Sequence, residues 1–254
     1  MSLQNKFSLR YFIQFSYNGT NYHGWQYQPN AASVQETLNK ALTTILNTTI
    51  DVMGAGRTDT GVHAKIMFGH FDCDPTLETE TVVHKLNSLL PKDIAVFKVF
   101  PVHQNAHARF DAKSRTYEYH MHPFKNVFLQ DLSWYCHHNL DLEVMNEAAK
   151  ILLNQTDFEC FSKVHTDVNT FDCHITEAYW KQEENRLVFT ITADRFLRNM
   201  VRAIVGTLIN VGLHKITLAD FEAIIASKNR SEAGFSVPAH GLYLTNIVYD
   251  YKPE

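Results

Sequence analysis

Cysteine is scarce: Cys73, Cys136, Cys160 and Cys173 are the only four in 254 residues, and no two form a CxxC pair. That usage excludes a disulfide framework and points to free thiols in a reducing compartment. It argues against a zinc site as well, because Cys136 beside His137-His138 and Cys173 beside His174 are adjacent pairs rather than ligand-spaced ones. Positive charge is in deficit, since 23 Lys and Arg against 27 Asp and Glu leave a net charge of −4. A protein whose whole surface attracts nucleic acid is thereby excluded. Long apolar runs are missing: none approaches the roughly 20 residues that span a bilayer, and the opening MSLQNKFSLR has no apolar signal core. The expectation is a soluble, cytoplasmic protein that engages no membrane. Low-complexity linkers and strict repeats are absent too.

What is there is ordinary in bulk and uneven in detail. A content of 45% hydrophobic and 20% charged residues suits a globular chain, long enough for one large domain or two small ones. The basic residues cluster twice, at Arg109, Lys113 and Arg115 with only Asp111 between them, and at Arg195, Arg198, Arg202 and Lys215 with no acid between the first and last. Acids gather elsewhere, at 72–80, 141–147 and 177–184. A basic cleft on an acidic body follows.

The hydrophobic pattern alternates strand and helix periods. Leu9 to Tyr17 reads as a strand, and Ser33-Val34-Gln35-Glu36 as a capping box opening a helix with Leu38, Ala41, Leu42, Ile45 and Leu46 at helical spacing. Lys65 to Asp72 reads as a strand, Glu80 to Leu90 as a helix stopped by Pro91, and Ile94 to Val102 as a strand. The second half of the chain follows a similar alternation, with a strand at Ser114 to His122, a helix from Asp141 to Asn154, strands at Cys173 to Gln182 and Arg186 to Ala193, two helices, and a last strand at Tyr243 to Tyr251. The reading is an α+β fold of two similar halves, 1–104 and 105–254, each a mixed or antiparallel sheet covered by helices, with the active cleft between them. A helix from Arg195 to about Val211 is expected to gather Arg195, Arg198 and Arg202 on one face, opposite Leu197, Val201, Ile204, Val205 and Leu208.

Between the first helix and the second strand lies Gly54-Ala55-Gly56-Arg57-Thr58-Asp59-Thr60-Gly61-Val62-His63-Ala64. Its glycines permit positive φ and close approach of another molecule to the main chain. Arg57 and Asp59, two apart, point to the same side of an extended stretch, where a guanidinium and a carboxylate face a ligand together. Most glycine-rich turns bind nothing, so composition alone favours a surface turn with a local ion pair.

The full string resembles the catalytic loop of the TruA-type tRNA pseudouridine synthases, whose signature is GRTD, one variable residue (here Thr60), then GVHA. Four further stretches fall in that family's order: Tyr17-Asn18-Gly19-Thr20-Asn21-Tyr22-His23-Gly24-Trp25-Gln26; Ala108-Arg109-Phe110 with Arg115-Thr116-Tyr117-Glu118-Tyr119; Phe196-Leu197-Arg198-Asn199-Met200-Val201-Arg202; and Gly241-Leu242-Tyr243-Leu244. Departures are small: Asn18 stands where aspartate is common, Asn105 where phenylalanine is, and Val237 where alanine is frequent.

The resemblance implies a cofactor-free, metal-free isomerase converting uridine to pseudouridine at positions 38, 39 and 40 of the tRNA anticodon stem-loop, working as a homodimer. Asp59 is then the catalytic carboxylate, acting either at base C6 or at sugar C1′. A stacked uridine must be flipped out to reach it. Tyr117 would stack on the uracil, Leu244 would lie on its other side, Arg202 would sit beside the carboxylate, and Arg57 would fill the vacated space or hold a flanking phosphate. Arg198, Arg109 and Arg115 join them as substrate-binding candidates. Tyr11, Tyr119 and Tyr179 are assigned to the core. Trp25 and Gln26 are balanced between an RNA-facing loop and a structural turn, and His63 is read as fixing the loop. Two rivals stand beside this reading: a hydrolytic base glycosidase, which would ordinarily need a second carboxylate, and a non-catalytic tRNA-binding protein.

Overall fold

A computed structural model describes residues 8–74, 77–163 and 169–251. Residues 1–7, which carry most of the stretch read above as lacking a signal core, lie outside the described residues. The chain divides into two compact units, Met1–Lys113 with Thr245–Glu254, and Ser114–Leu244.

The first unit is built on β1 (Leu9–Tyr17), α1 (Val34–Leu46), β2 (Met53–Gly54), β3 (His63–Cys73), α2 (Thr79–Leu89) and β4 (Ile94–Val102). β1 lies between β3 and β4 and is antiparallel to both. Phe12, Ile13 and Phe15 are fully buried, as a central strand covered on both faces requires. The register of β1 slips against β3 between Phe15 and Tyr17 and against β4 between Gln14 and Phe15. These bulges bend the strand where it runs toward the glycine-rich loop. Ser33 caps α1 by accepting from the Glu36 N–H at 3.2 Å, and Val34, Leu38, Ala41 and Leu42 form its buried face. Asn87 of α2 clasps the backbone of β4, accepting from the Val96 N–H at 2.8 Å and donating to its carbonyl at 2.7 Å.

The second unit contains β5 (Ser114–His122), β6 (Trp134–Tyr135), α3 (Leu142–Ile151), β7 (Ile175–Glu183), β8 (Arg186–Ala193), α4 (Met200–Gly212) and α5 (Leu218–Ser227). β8 runs antiparallel to both β5 and β7, and β6 runs parallel to β5, so this sheet is mixed. Asn146 of α3 repeats the clasp, accepting from the Trp180 N–H on β7 at 2.7 Å and donating to its carbonyl at 3.1 Å. In both units an amide thus satisfies the outward-facing backbone of an outer strand, which would otherwise be open to pairing. The division between the units falls inside β9 (Leu242–Val248), after Leu244. The fold is α+β, as the alternating periods predict.

Several local expectations need correction. α4 begins at Met200, not Arg195, because Asn199 holds φ 67°, a left-handed conformation that a helix interior does not adopt. Arg195 and Arg198 therefore lie outside the helix, and the three-arginine helical face does not form. The helix expected to Asn154 ends at Ile151 and tightens into a 3-10 turn over Leu152–Asn154. The last strand stops at Val248. Tyr179 is 39% exposed, since it alternates with the buried Ala178 and Trp180 on β7 and faces away from the core.

All four cysteines are buried free thiols. Among the described residues no helix is long and apolar enough to cross a membrane, and no group of three or more His, Cys, Asp or Glu could hold a metal ion.

Candidate active site

In the first unit, the loop joining β2 to β3 is held by the segment that follows β1. The Trp25 N–H donates to the Thr58 carbonyl at 3.2 Å, the Gly61 N–H to the Tyr22 carbonyl at 3.3 Å, and the Gly19 N–H to Nδ1 of His63 at 3.0 Å. The Tyr17 hydroxyl meets Thr58 Oγ1 at 2.9 Å. Inside the loop, the Val62 N–H donates to the Asp59 carbonyl at 3.1 Å, with Gly61 at φ 77° making the turn between them. Packing is as close as the hydrogen bonding. A Cβ on Gly19 would lie 2.0 Å from the Val62 carbonyl oxygen, and one on Gly54 would lie 2.5 Å from the Trp25 indole.

Trp25, 3% exposed, is therefore a structural residue of this clamp, whereas its neighbour Gln26 is exposed. His63, 1% exposed, fixes the loop as an acceptor for Gly19. Four side chains of the loop keep access to solvent: Arg57 and Thr60 are exposed, and Thr58 and Asp59 are half-buried.

Arg109 also belongs to the first unit, on the turn at 107–111, where it is exposed and its guanidinium lies 5.5 Å from the centroid of the Phe110 ring. Its sequence neighbour Lys113 is engaged with Asp250 at 2.7 Å.

In the second unit, Arg115 and Tyr117 share one face of β5, two residues apart. Arg115 donates to the Asp194 carbonyl at 2.7 Å. Tyr117 is half-buried and its ring meets Phe196 edge to face at 5.1 Å and 87°. Tyr119, next on that face, is fully buried; burial pushes its phenol well above the usual tyrosine range, and it donates to the Pro238 carbonyl at 2.9 Å. Tyr117 is thus the accessible tyrosine of the pair, and Tyr119 the core one.

Arg202 lies in the first turn of α4. Its Nε donates to the Val237 carbonyl at 2.7 Å, while the Val237 N–H donates back to the Arg202 carbonyl at 3.2 Å. Asn199 Nδ2 adds a bond to Ser236 Oγ at 2.7 Å, so the segment before β9 and the start of α4 are fastened at two consecutive residues. Arg198 is exposed and its carbonyl accepts from the Lys163 N–H at 3.0 Å. Leu244, 2% exposed, ends the part of β9 that belongs to this unit. The roles of Tyr17, Phe196 and Val237 as supports had no separate signal in the sequence, because each acts on a residue far along the chain.

The arrangement offers a half-buried carboxylate on a rigid loop in one unit, and a half-buried tyrosine with a tethered arginine in the other. The sequence profile of a family described as tRNA pseudouridine synthase matches residues 13–111 and 148–250. The chain is 53% identical over 244 residues to the tRNA pseudouridine synthase A of Porphyromonas gingivalis, covering 94% of this chain and 97% of that one. It is 53% identical over 243 residues to the protein of the same name from Bacteroides thetaiotaomicron, covering 94% and 90%. The likeness extends to that of Thermoanaerobacter sp., at 39% over 244 residues, 93% of this chain and 98% of that one.

Proposed function

Because this chain belongs to the tRNA pseudouridine synthase family, we propose that it isomerises uridine to pseudouridine at positions 38, 39 and 40 of the tRNA anticodon stem-loop. The reaction breaks the N1–C1′ bond and forms C5–C1′; C5 loses a proton and N1 gains one, so neither mass nor oxidation state changes. No cofactor is called for. The chemistry asks for a carboxylate, a pocket that retains the freed uracil, and exclusion of water from the sugar.

Asp59 is the catalytic carboxylate in this reading. One observation carries it: Thr58 and Gly61 on either side are fastened to other segments, while the Asp59 side chain keeps partial access to solvent. A group that must meet a reacting atom gains most from such rigidity, because misplacement by about 1 Å can cost on the order of a hundredfold in rate. Addition to C6 and assistance at C1′ both use this carboxylate.

Flipping the uridine costs a few kcal/mol, and stacking on Tyr117 returns about 1–3 kcal/mol of it. Leu244 closes on the other side of the base, Arg202 partners the carboxylate, and Arg57, Arg198, Arg109 and Arg115 hold phosphates. The protein acts as a homodimer in the cytoplasm, where its substrate is.

The test is incubation of this protein with unmodified tRNA, followed by chemical mapping of pseudouridine in the anticodon arm. Asp59→Asn should abolish product while leaving tRNA affinity largely intact. Retained turnover in that variant, or free uracil with a loss of RNA mass, would defeat the proposal and favour a binding protein or a hydrolase respectively.

A further inference from the structure

Phe110 is 74% exposed on a turn that is anything but loose. Five consecutive backbone amides are all engaged. The His107 N–H donates to Asp111 Oδ2 at 2.7 Å, the Ala108 N–H to Nδ1 of His70 at 3.1 Å, and those of Arg109 and Phe110 to Nδ1 of His107 at 3.1 and 3.3 Å. The Asp111 N–H closes the turn on the His107 carbonyl at 3.0 Å. The turn is also anchored from the C-terminal segment, by the Tyr249 hydroxyl on the Ala108 carbonyl at 2.6 Å and the Tyr251 hydroxyl on Asp111 at 3.0 Å.

An exposed phenylalanine on a mobile loop would be unremarked, because scattered surface apolar residues are normal. Here side chains from β3 and from the chain's C-terminal segment immobilise the backbone beneath one. The His107 ring backs it at 4.2 Å between centroids, and the Arg109 guanidinium lies 5.5 Å from its centre. An aromatic face with low residual entropy beside a cation suits a nucleotide, whose base stacks while its phosphate pairs with the guanidinium.

We propose that Phe110 is a second stacking platform of this protein, taking an unpaired or frayed tRNA base other than the target uridine, with Arg109 holding the adjoining phosphate. This rests on the reading of tRNA as the substrate. Phe110 is a positioning residue: it binds RNA and takes no part in bond making.

The experiment compares wild type with Phe110→Ala, Phe110→Leu and Phe110→Tyr, measuring direct binding of unmodified tRNA and single-turnover pseudouridine formation at saturating enzyme. Loss of one stacked base is expected to weaken binding roughly 5- to 100-fold in the Ala and Leu variants, with the saturating rate unchanged, and Tyr should restore wild-type affinity. Unchanged affinity in Phe110→Ala would overturn the inference. So would equal behaviour of Leu and Tyr, which marks plain apolar packing, or a change in sedimentation mass in place of RNA affinity, which marks a protein contact. Should wild type bind tRNA but form no pseudouridine in the anticodon arm, the proposed reaction fails while the affinity comparison still decides the role of Phe110.

Discussion

Gly24 holds φ 90° directly against Thr58: a Cβ there would lie 2.4 Å from the Thr58 carbonyl oxygen, the same oxygen that accepts the Trp25 N–H at 3.2 Å. The close approach lets one segment grip another one residue before Asp59. Position 24 therefore leaves little room for movement of the backbone that carries Asp59.

Replacing Gly24 with Ala should be costly twice over, since the backbone is left-handed and the contact is with main chain that cannot swing aside. A loss of about 1–3 kcal/mol in urea-denaturation stability is expected, together with a fall in kcat that exceeds any change in tRNA affinity. Wild-type stability and turnover in that variant would show that the clamp does not govern the loop.

Arg202→Lys separates charge from geometry. Lysine keeps the positive charge but cannot reproduce the Nε bond to the Val237 carbonyl while also presenting a second planar donor. A hydrogen bond from a charged donor is worth about 1.5–3 kcal/mol. We expect kcat to drop at least tenfold with KM little altered, measured on unmodified tRNA under steady-state conditions. A lysine variant as active as wild type would mean that charge alone suffices.

Acid should weaken the first unit through His70. Burial, then the neighbouring His107 and Arg10, pull this imidazole from 6.5 down to about 4. His107 is lowered too, chiefly by burial. The folded chain thus resists a proton that the unfolded chain accepts below pH 6.5. The stability contribution is complete above that value and erodes as pH falls toward about 4, by up to roughly 1.4 kcal/mol per pH unit for His70. Denaturation at about pH 7.5, 6 and 5 should show this slope in wild type. His70→Asn retains an acceptor for the Ala108 N–H, so it should be less steep; identical slopes would assign the effect to other groups.

The strands Leu9–Tyr17, Ile94–Val102, Ser114–His122 and Arg186–Ala193 were readable to the residue, because alternation and bounding turns are written within a few positions of one another. The Ser33 cap and the glycine-rich loop were legible for the same reason. Where a long-range partner decides the local conformation, periodicity misled. Asn199 is left-handed and bonds Ser236, 37 residues later, so helical spacing that began at Arg195 carried the reading of α4 a turn too far toward the N-terminus. Tyr249 and Tyr251 continue a strand pattern but turn their hydroxyls to the 107–111 turn, some 140 residues earlier. Trp25 is equally apt for a surface loop or a core until the space beneath Gly54 is known. The candidate carboxylate was thus available from the order of the amino acids, which encodes local chemistry. Its rigidity, and the rigid display of Phe110, came only from folding, which brings distant hydrogen-bond partners within reach and leaves no room for alternatives.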